Sequence, residues 1–470
     1  MNSKKVTFIL VLFSALFLSL VVYLTGIELY YKDEYASSNL NQRSLAREEN
    51  SLRGTIYDKN GETLAYSKME GDVQKRYYPH ISLYSHVIGY SSKTYGKSML
   101  EKRYNADLLG DNGVSAVFNL KNMLSGEMNE GNSLTLTIDH RVQKRINDMM
   151  GRYNGAAVAI DPKTGAILAM VSKPDFNPND TYLKKSWQSL TDSDDAPFLS
   201  RAVMGLYPPG STYKMLTASL IYENGLEGTE VEDEGRITID GKEFTNTKQK
   251  AYGKTSLEDA FRVSSNVYFA SVGSQIGTAK HRNLAERFWF NKPLEFDLPY
   301  SKSKYQSGSM EEVELAAASI GQGKTLVTPL QLAMMTAAIA NDGVMMKPYL
   351  VQEIKAPGGF ITKNTRPAEL SHAVDVETAR AVKELMVDAV NNGTGTNARI
   401  WGIDVGGKTG TAENERTNED SEATHALFVS FAPADDPQIA VAVILEYAGN
   451  TGGSIAAPIA REAMRTYLKK

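Results

Sequence analysis

The 470-residue chain has no cysteine. Disulfide staples, thiolate zinc sites and a cysteine nucleophile are therefore excluded. Histidine is scarce, six in all, so a mechanism built on several imidazoles is disfavoured. There is no surplus of positive charge: 51 Lys and Arg stand against 55 Asp and Glu, a net −4. Nucleic-acid binders carry a basic excess, so none is expected as a partner. Internal repeats and low-complexity tracts are also missing. With 42% hydrophobic and 23% charged residues the composition is that of a folded chain, not of a disordered or multi-span membrane protein.

One long apolar run is present. Val6 to Leu24 carries no charge and comes directly after Lys4 and Lys5. At about 1.5 Å per residue it rises roughly 28 Å, close to one hydrocarbon core. The reading is an uncleaved single-pass anchor over residues 1–27, with a cytoplasmic N-terminus and the remainder outside. A cleaved signal peptide would have a shorter apolar core and a small-x-small cleavage site, and no clear A-x-A occurs.

Beyond the anchor, the pattern divides the chain into a mixed, β-rich membrane-proximal domain over 28–150 and one large domain over 151–470. Tyr30, Tyr31 and Tyr35 lie in the polar stretch next to the anchor, where interfacial rings belong. Arg53 to Ala65 reads as strand, Asn-Gly turn, strand, and Leu134 to Ile138 alternates like a strand. Ala156–Ile160 and Ala166–Val171 are apolar β runs joined by the turn Asp161-Pro-Lys-Thr-Gly165. Helical spacing is predicted to dominate from about Thr212 to Asp342. Nearer the C-terminus are two further β runs, His425–Phe431 and Gln438–Leu445, and a closing helix near Ile459–Leu468. Strands enclosing a helical middle make an α+β domain, a sheet covered by helices.

Three short motifs carry the chemistry, and each has a decoy. Ser211-Thr-Tyr-Lys214 is an S-x-x-K, Ser264-Ser-Asn266 an S-x-N and Lys408-Thr-Gly410 a K-T-G. Ser301–Lys304, Ser37–Asn39 and Lys163–Gly165 fit the same patterns. Context separates them. Ser211 comes after the Pro-Pro-Gly turn and opens a helix with apolar positions at Met215, Leu216, Leu220 and Ile221, so a helix N-terminus faces any charge developing there. Lys214 shares that helix face. A buried lysine, or one beside another positive charge, can be neutral and take a serine's proton. Ser264 comes just after a short helix opened by a Thr255-x-x-Glu258 capping box. Lys408 ends a glycine-rich strand approach that continues through Thr411 and Ala412. The decoys sit in a polar loop, beside the membrane and in a hairpin turn.

The ordered trio, 53 and 144 residues apart, resembles the signature of the penicilloyl-serine transferases. The fuller resemblance is to class B penicillin-binding proteins of the division-protein and PbpA-like group. Arg53-Gly-Thr-Ile-Tyr-Asp58, Thr137-Ile-Asp139, Asp161–Gly165, Arg201-Ala202, Gly321-Gln-Gly323, Thr328-Pro-Leu-Gln331, Asn341-Asp-Gly343 and Lys408–Glu413 all fall where that family has similar strings.

The resemblance implies a penicillin-binding transpeptidase domain with a mainly antiparallel central sheet, standing on a pedestal-like or dimerisation-type domain. It implies a peptidoglycan D,D-transpeptidase of the bacterial cell membrane that needs no metal or cofactor. Its partners would be stem peptides, β-lactams and a SEDS-type glycosyltransferase. Ser211 would be the nucleophile, Lys214 the general base, Ser264 a proton relay and Asn266 a holder of substrate amide and Lys214. Lys408 and Thr409 would recognise the substrate carboxylate, with Gly410 and Thr411 lining the site and the Ser211 and Thr411 amides forming an oxyanion hole. Glu295-Phe-Asp-Leu-Pro299 lies where class A β-lactamases carry their deacylation glutamate, but its proline marks a plain loop. Glu413 has no assigned role, and Asn414–Ser421 reads as a loop beside the site. A D,D-carboxypeptidase and a β-lactam sensor or idle scaffold are the alternatives. A bifunctional class A protein is disfavoured because too little chain lies between anchor and Gly151.

Overall fold

The structure, a computed structural model of the whole chain, describes residues 3–27, 30, 51–71, 73–111, 115, 119, 128–413 and 423–469. Tyr31, Tyr35, the Ser37–Asn39 decoy and the Asn414–Ser421 stretch lie outside the described residues.

Helix α1 (Ser3–Gly26) takes the apolar run. Its Lys4–Gly26 portion has a mean hydropathy of 2.6 and none of its apolar window is buried against protein, so it is long and apolar enough to cross a membrane.

Two sheets organise the rest. Strands β1 (Ile56–Tyr57), β2 (Thr63–Glu70), β3 (Val73–Tyr77) and β4 (Ser133–Leu136) belong to the first. β5 (Gly155–Ile160) and β6 (Ile167–Lys173) open the second. β7 (Val351–Lys355) and β8 (Ile361–Asn364) return to the first. β9 (Gly406–Ala412), β10 (His425–Ala432) and β11 (Ile439–Leu445) complete the second. The first sheet runs β8-β7-β4-β1-β2-β3 and the second, antiparallel throughout, runs β6-β5-β11-β10-β9.

The opening string at Arg53 is explained by burial. Arg53 donates to Glu101 Oε2 at 2.6 Å, to the Glu101 carbonyl at 2.7 Å and to Asn105 Oδ1 at 2.7 Å. Burial alone would raise the Glu101 carboxyl, but the Arg53 and Arg76 charges win and hold it at about 2. At the β1–β2 turn, Asp58 accepts from Asn60 N at 2.7 Å and Glu62 N at 2.8 Å, and also from His140 N at 3.1 Å.

Helices α2 (His140–Met150), α3 (Lys214–Glu223), α4 (Leu257–Val263), α5 (Asn266–Ser274), α6 (Pro329–Ala340), α7 (Val376–Asn391) and α8 (Ala457–Leu468) cover the second sheet, α2, α6, α7 and α8 directly and α3, α4 and α5 as a further layer on one side. That sheet is buried on both faces, and its alternation divides the core. Val158, Ala442, Ile444, Leu427 and Val429 join one apolar cluster with α3 and α6. Ala157, Val441, Val443 and Phe428 join the other with α2 and α8. Helix α6 lies wholly inside. Thr328 caps it by accepting from Gln331 N at 3.1 Å, Pro329 occupies its first turn, and Gly343 at φ +89° lies just past its end. The Thr-Pro-Leu-Gln and Asn-Asp-Gly strings are thus start and stop of one buried helix.

Elements cross residue 151. Helix α2 inserts Val142, Ile146 and Met150 into the core beneath the second sheet, while β7 pairs with β4 in the first. The 212–342 stretch also holds strands that helical spacing did not predict: Val231–Asp233, Arg236–Ile239, Lys242–Thr245 and Gly253–Thr255. They are short, charge-rich and paired only in two-stranded ribbons, so they leave no periodic apolar signal.

Candidate active site

The Pro-Pro-Gly turn brings Ser211 between two backbones. Gly210, at φ +52°, donates its amide to the Gly321 carbonyl at 2.9 Å. A Cβ at Gly210 would stand 2.6 Å from the Thr411 carbonyl oxygen, so only glycine lets this turn touch β9. Ser211 falls within a 3₁₀ turn, Gly210–Tyr213, and α3 starts at Lys214. The expected helix N-terminus is thus preceded by one tighter turn, pinned by Thr212 Oγ1 donating to the Pro209 carbonyl at 2.6 Å. The Ser211 side chain is half-buried, and Lys214 is fully buried.

Lys214 Nζ donates to the Ser264 carbonyl at 2.8 Å and to Asn266 Oδ1 at 2.7 Å, with a longer approach of 3.4 Å to Ser264 Oγ. Among the described residues none of its hydrogen bonds goes to Ser211. Ser264 sits at the break between α4 and α5, in the left-handed region at φ 65° and ψ 42°, and Ser265 caps α5 by accepting from Tyr268 N at 3.0 Å. The cap of α4 differs from expectation by one residue. Ser256 accepts from Asp259 N at 3.3 Å, whereas Thr255 ends a strand and bonds back to the Gly253 carbonyl.

Lys408, on β9, is equally buried and donates to Ser264 Oγ at 2.7 Å. Burial pulls its ammonium down to about 7. Burial also lowers Lys214; the Lys408 charge adds to this and Asp233 opposes it, leaving the amine well below the ordinary lysine range. The Thr409 hydroxyl lies 2.7 Å from Thr394 Oγ1. Gly410 faces the Ser211 turn, since a Cβ there would stand 2.9 Å from Thr212 Cγ2. Thr411 is exposed, and β9 is an edge strand of the second sheet.

The other candidates lie elsewhere. Lys163 pairs with Asp436 at the surface. Ser301 Oγ donates to the Met204 carbonyl at 3.0 Å, and Lys304 is exposed. Glu295 is an exposed partner of Lys347 at 2.6 Å, in a loop whose Asp297 accepts from Leu350 N at 2.7 Å. Glu413 is exposed. Three polar residues around the site were not predicted from the sequence: Asp233, Asn246 and Thr394. They sit in short polar stretches without a motif, so only the fold reveals them.

Residues 155–465 match the penicillin binding protein transpeptidase domain, and residues 53–134 match the penicillin binding protein A dimerisation domain. The chain is a class B penicillin-binding protein. Among relatives of this penicillin-binding protein, the peptidoglycan D,D-transpeptidase PbpA of Mycolicibacterium smegmatis is 33% identical over 473 residues, covering 95% of each chain. A solved structure of penicillin-binding protein A from M. tuberculosis, a ceftriaxone acyl-enzyme complex, superposes with a TM-score of 0.86 at 31% identity, covering 90% of this chain and 99% of that one. A D,D-transpeptidase domain from Eggerthella lenta gives 0.80 at 35% identity, covering 89% and 99%.

Proposed function

We propose that Ser211, Lys214, Ser264, Asn266 and Lys408 carry out serine acyl transfer in this penicillin-binding protein. The enzyme is a peptidoglycan D,D-transpeptidase, acylated by β-lactams. The observation that supports these roles is the convergence of two buried lysines on one serine hydroxyl. A neutral Lys214 has two hydrogens, and the Ser264 carbonyl and Asn266 Oδ1 are placed to accept both. Its lone pair is then left for the Ser211 proton.

Ser211 Oγ attacks the penultimate D-alanine carbonyl of a stem peptide as its proton passes to Lys214. The amides of Ser211 and Thr411 receive the oxyanion. Lys408 donates to Ser264 Oγ at 2.7 Å, so the hydroxyl's own hydrogen points elsewhere, toward the leaving nitrogen, and Lys214, 3.4 Å away, becomes a donor to Ser264 Oγ once it holds the Ser211 proton. As the C–N bond breaks, Ser264 gives that hydrogen to the departing D-alanine and is reprotonated by Lys214. The amine of a second stem peptide then attacks the ester, and as the C–Oγ bond breaks its proton passes by way of Lys214 to Ser211 Oγ, restoring the hydroxyl and the free lysine. Lys408 and Thr409 hold the terminal carboxylate of the donor, and Gly410 and Thr411 offer it a strand edge.

Helix α1 anchors the enzyme in the bacterial cell membrane with its N-terminus in the cytoplasm. Residues 28–150, apart from helix α2, which packs in the core beneath the second sheet, form the pedestal that lifts the 151–470 transpeptidase domain toward the wall. A SEDS-type glycosyltransferase supplies the glycan strands. The roles are tested by labelling with a fluorescent penicillin. Ser211→Ala is expected to abolish labelling while melting like the wild type, and Ser301→Ala to label normally. Full labelling of Ser211→Ala, or loss only in Ser301→Ala, refutes the assignment.

A further inference from the structure

The S-x-N motif leans on a buried acid that none of the three motifs contains. Asp233 is 0% exposed. Its Oδ1 accepts from Gly235 N at 2.8 Å and Asn246 Nδ2 at 2.8 Å, and its Oδ2 from Asn246 Nδ2 at 2.9 Å and Ser265 Oγ at 2.6 Å. Every approach is a donor, which suits a carboxylate and not an amide. Asn246, itself buried, turns the other end of its side chain to the start of α5. Its Oδ1 accepts from Asn266 N at 2.7 Å and Val267 N at 3.2 Å, two amides that have no partner within the helix. The Asn266 side chain is thereby fixed in one sense. Its Nδ2 donates to the Thr245 carbonyl at 2.8 Å, and its Oδ1 is left facing Lys214 Nζ at 2.7 Å.

We propose that Asp233 is a positioning residue of the acyl transfer: through Asn246 and Ser265 it locks Asn266 in the orientation that accepts from Lys214. The inference rests on Lys214 being the base. The charges that act on this lysine are those of Lys408 on β9 and of Asp233 at the end of its ribbon strand, while Ser264 between α4 and α5 and Asn266 at the start of α5 are neutral. An asparagine at 233 would turn its NH₂ toward an existing donor in either orientation and would remove the opposing charge. A weakened network lowers the rate. A lost carboxylate makes Lys214 harder to protonate, so its loss of activity in acid begins at lower pH.

The test is the second-order rate of acylation by a fluorescent penicillin on the full chain, measured as a function of pH, with thermal melting to establish folding. Asp233→Asn is expected to lose about tenfold or more in rate, the effect of a broken hydrogen bond to a charged group, and to move the acid limb to lower pH. Asn246→Ala keeps the carboxylate but cuts its link to Asn266, so it is expected to lose a similar factor with the limb in place. A folded Asp233→Asn with the wild-type rate, or with a lower rate and an unmoved limb, overturns the proposal. If that variant does not fold, Asn246→Ala decides: the wild-type rate from a folded Asn246→Ala overturns it as well. Lys214→Ala separates this inference from the reading beneath it. Wild-type acylation by Lys214→Ala would refute the base itself, whereas an inactive Lys214→Ala beside an unaltered Asp233→Asn refutes only the role of Asp233.

Discussion

Two fully buried lysines meet on Ser264, and water is excluded from both ammonium groups. Desolvation disfavours charge on each, and the Lys408 charge further disfavours charge on Lys214. Burial and the neighbouring Lys408 charge hold Lys214 well below the ordinary lysine range, the direction that the proposed base requires. Lys408 is held at about 7, so it changes charge near neutrality. Its protonated form is the one that attracts a carboxylate. Acylation by a penicillin is therefore expected to fall on the acid side as Lys214 gains a proton, and on the alkaline side as Lys408 loses one, with the alkaline midpoint near about 7. The pH profile of the second-order acylation rate checks this. A rate that keeps rising well above that midpoint would contradict the assigned role of Lys408. Stability tracks the same group with a definite sign. Unfolded, the lysine keeps its proton to about 10.5, while folded it releases it near about 7. The unfolded state binds more protons across that window, so stability rises with pH between the two values.

At the scale of elements, the site is built where a 3₁₀ turn, a helix–helix break and a sheet edge come together. The glycines at their contacts have no substitute. Gly321 has φ +74°, and a Cβ there would stand 2.1 Å from the Gly210 carbonyl oxygen, directly before Ser211. Gly321→Ala is expected to cost about 2–4 kcal/mol through left-handed strain and forced displacement of backbone, and to slow acylation by moving Ser211. Melting and acylation unchanged from the wild type would contradict the claimed contact. The three motifs were legible in the sequence because each is a fixed chemical string beside a structural signal: Pro-Pro-Gly before Ser211, a short helix before Ser264, glycines before Lys408. The β runs of the second sheet were legible because they are continuous apolar segments buried on both faces. The ribbon strands around Asp233 and Asn246 were not, since short charged strands carry no periodicity. Nor was β7, whose place beside β4 depends on pairing across more than two hundred residues of chain, nor β8, which is placed only by pairing with β7. Ser256, not Thr255, caps α4, because both side chains fit the cap chemistry and the strand decides which is free.

Over the whole molecule, one apolar helix leads into a β-rich unit that shares a sheet and a core helix with the transpeptidase domain. The buried Arg53–Glu101–Arg76 cluster braces that unit. Central to the mechanism is the passage of the acyl group from Ser211 to an amine on a second peptide. Incubating the full-length protein in detergent with a pentapeptide donor and a D-amino acid or peptide acceptor, and identifying the products by mass spectrometry, tests it most directly. The expected result is release of D-alanine with a new amide joining donor and acceptor, absent from Ser211→Ala. Hydrolysed donor alone, or no turnover, would contradict that transfer.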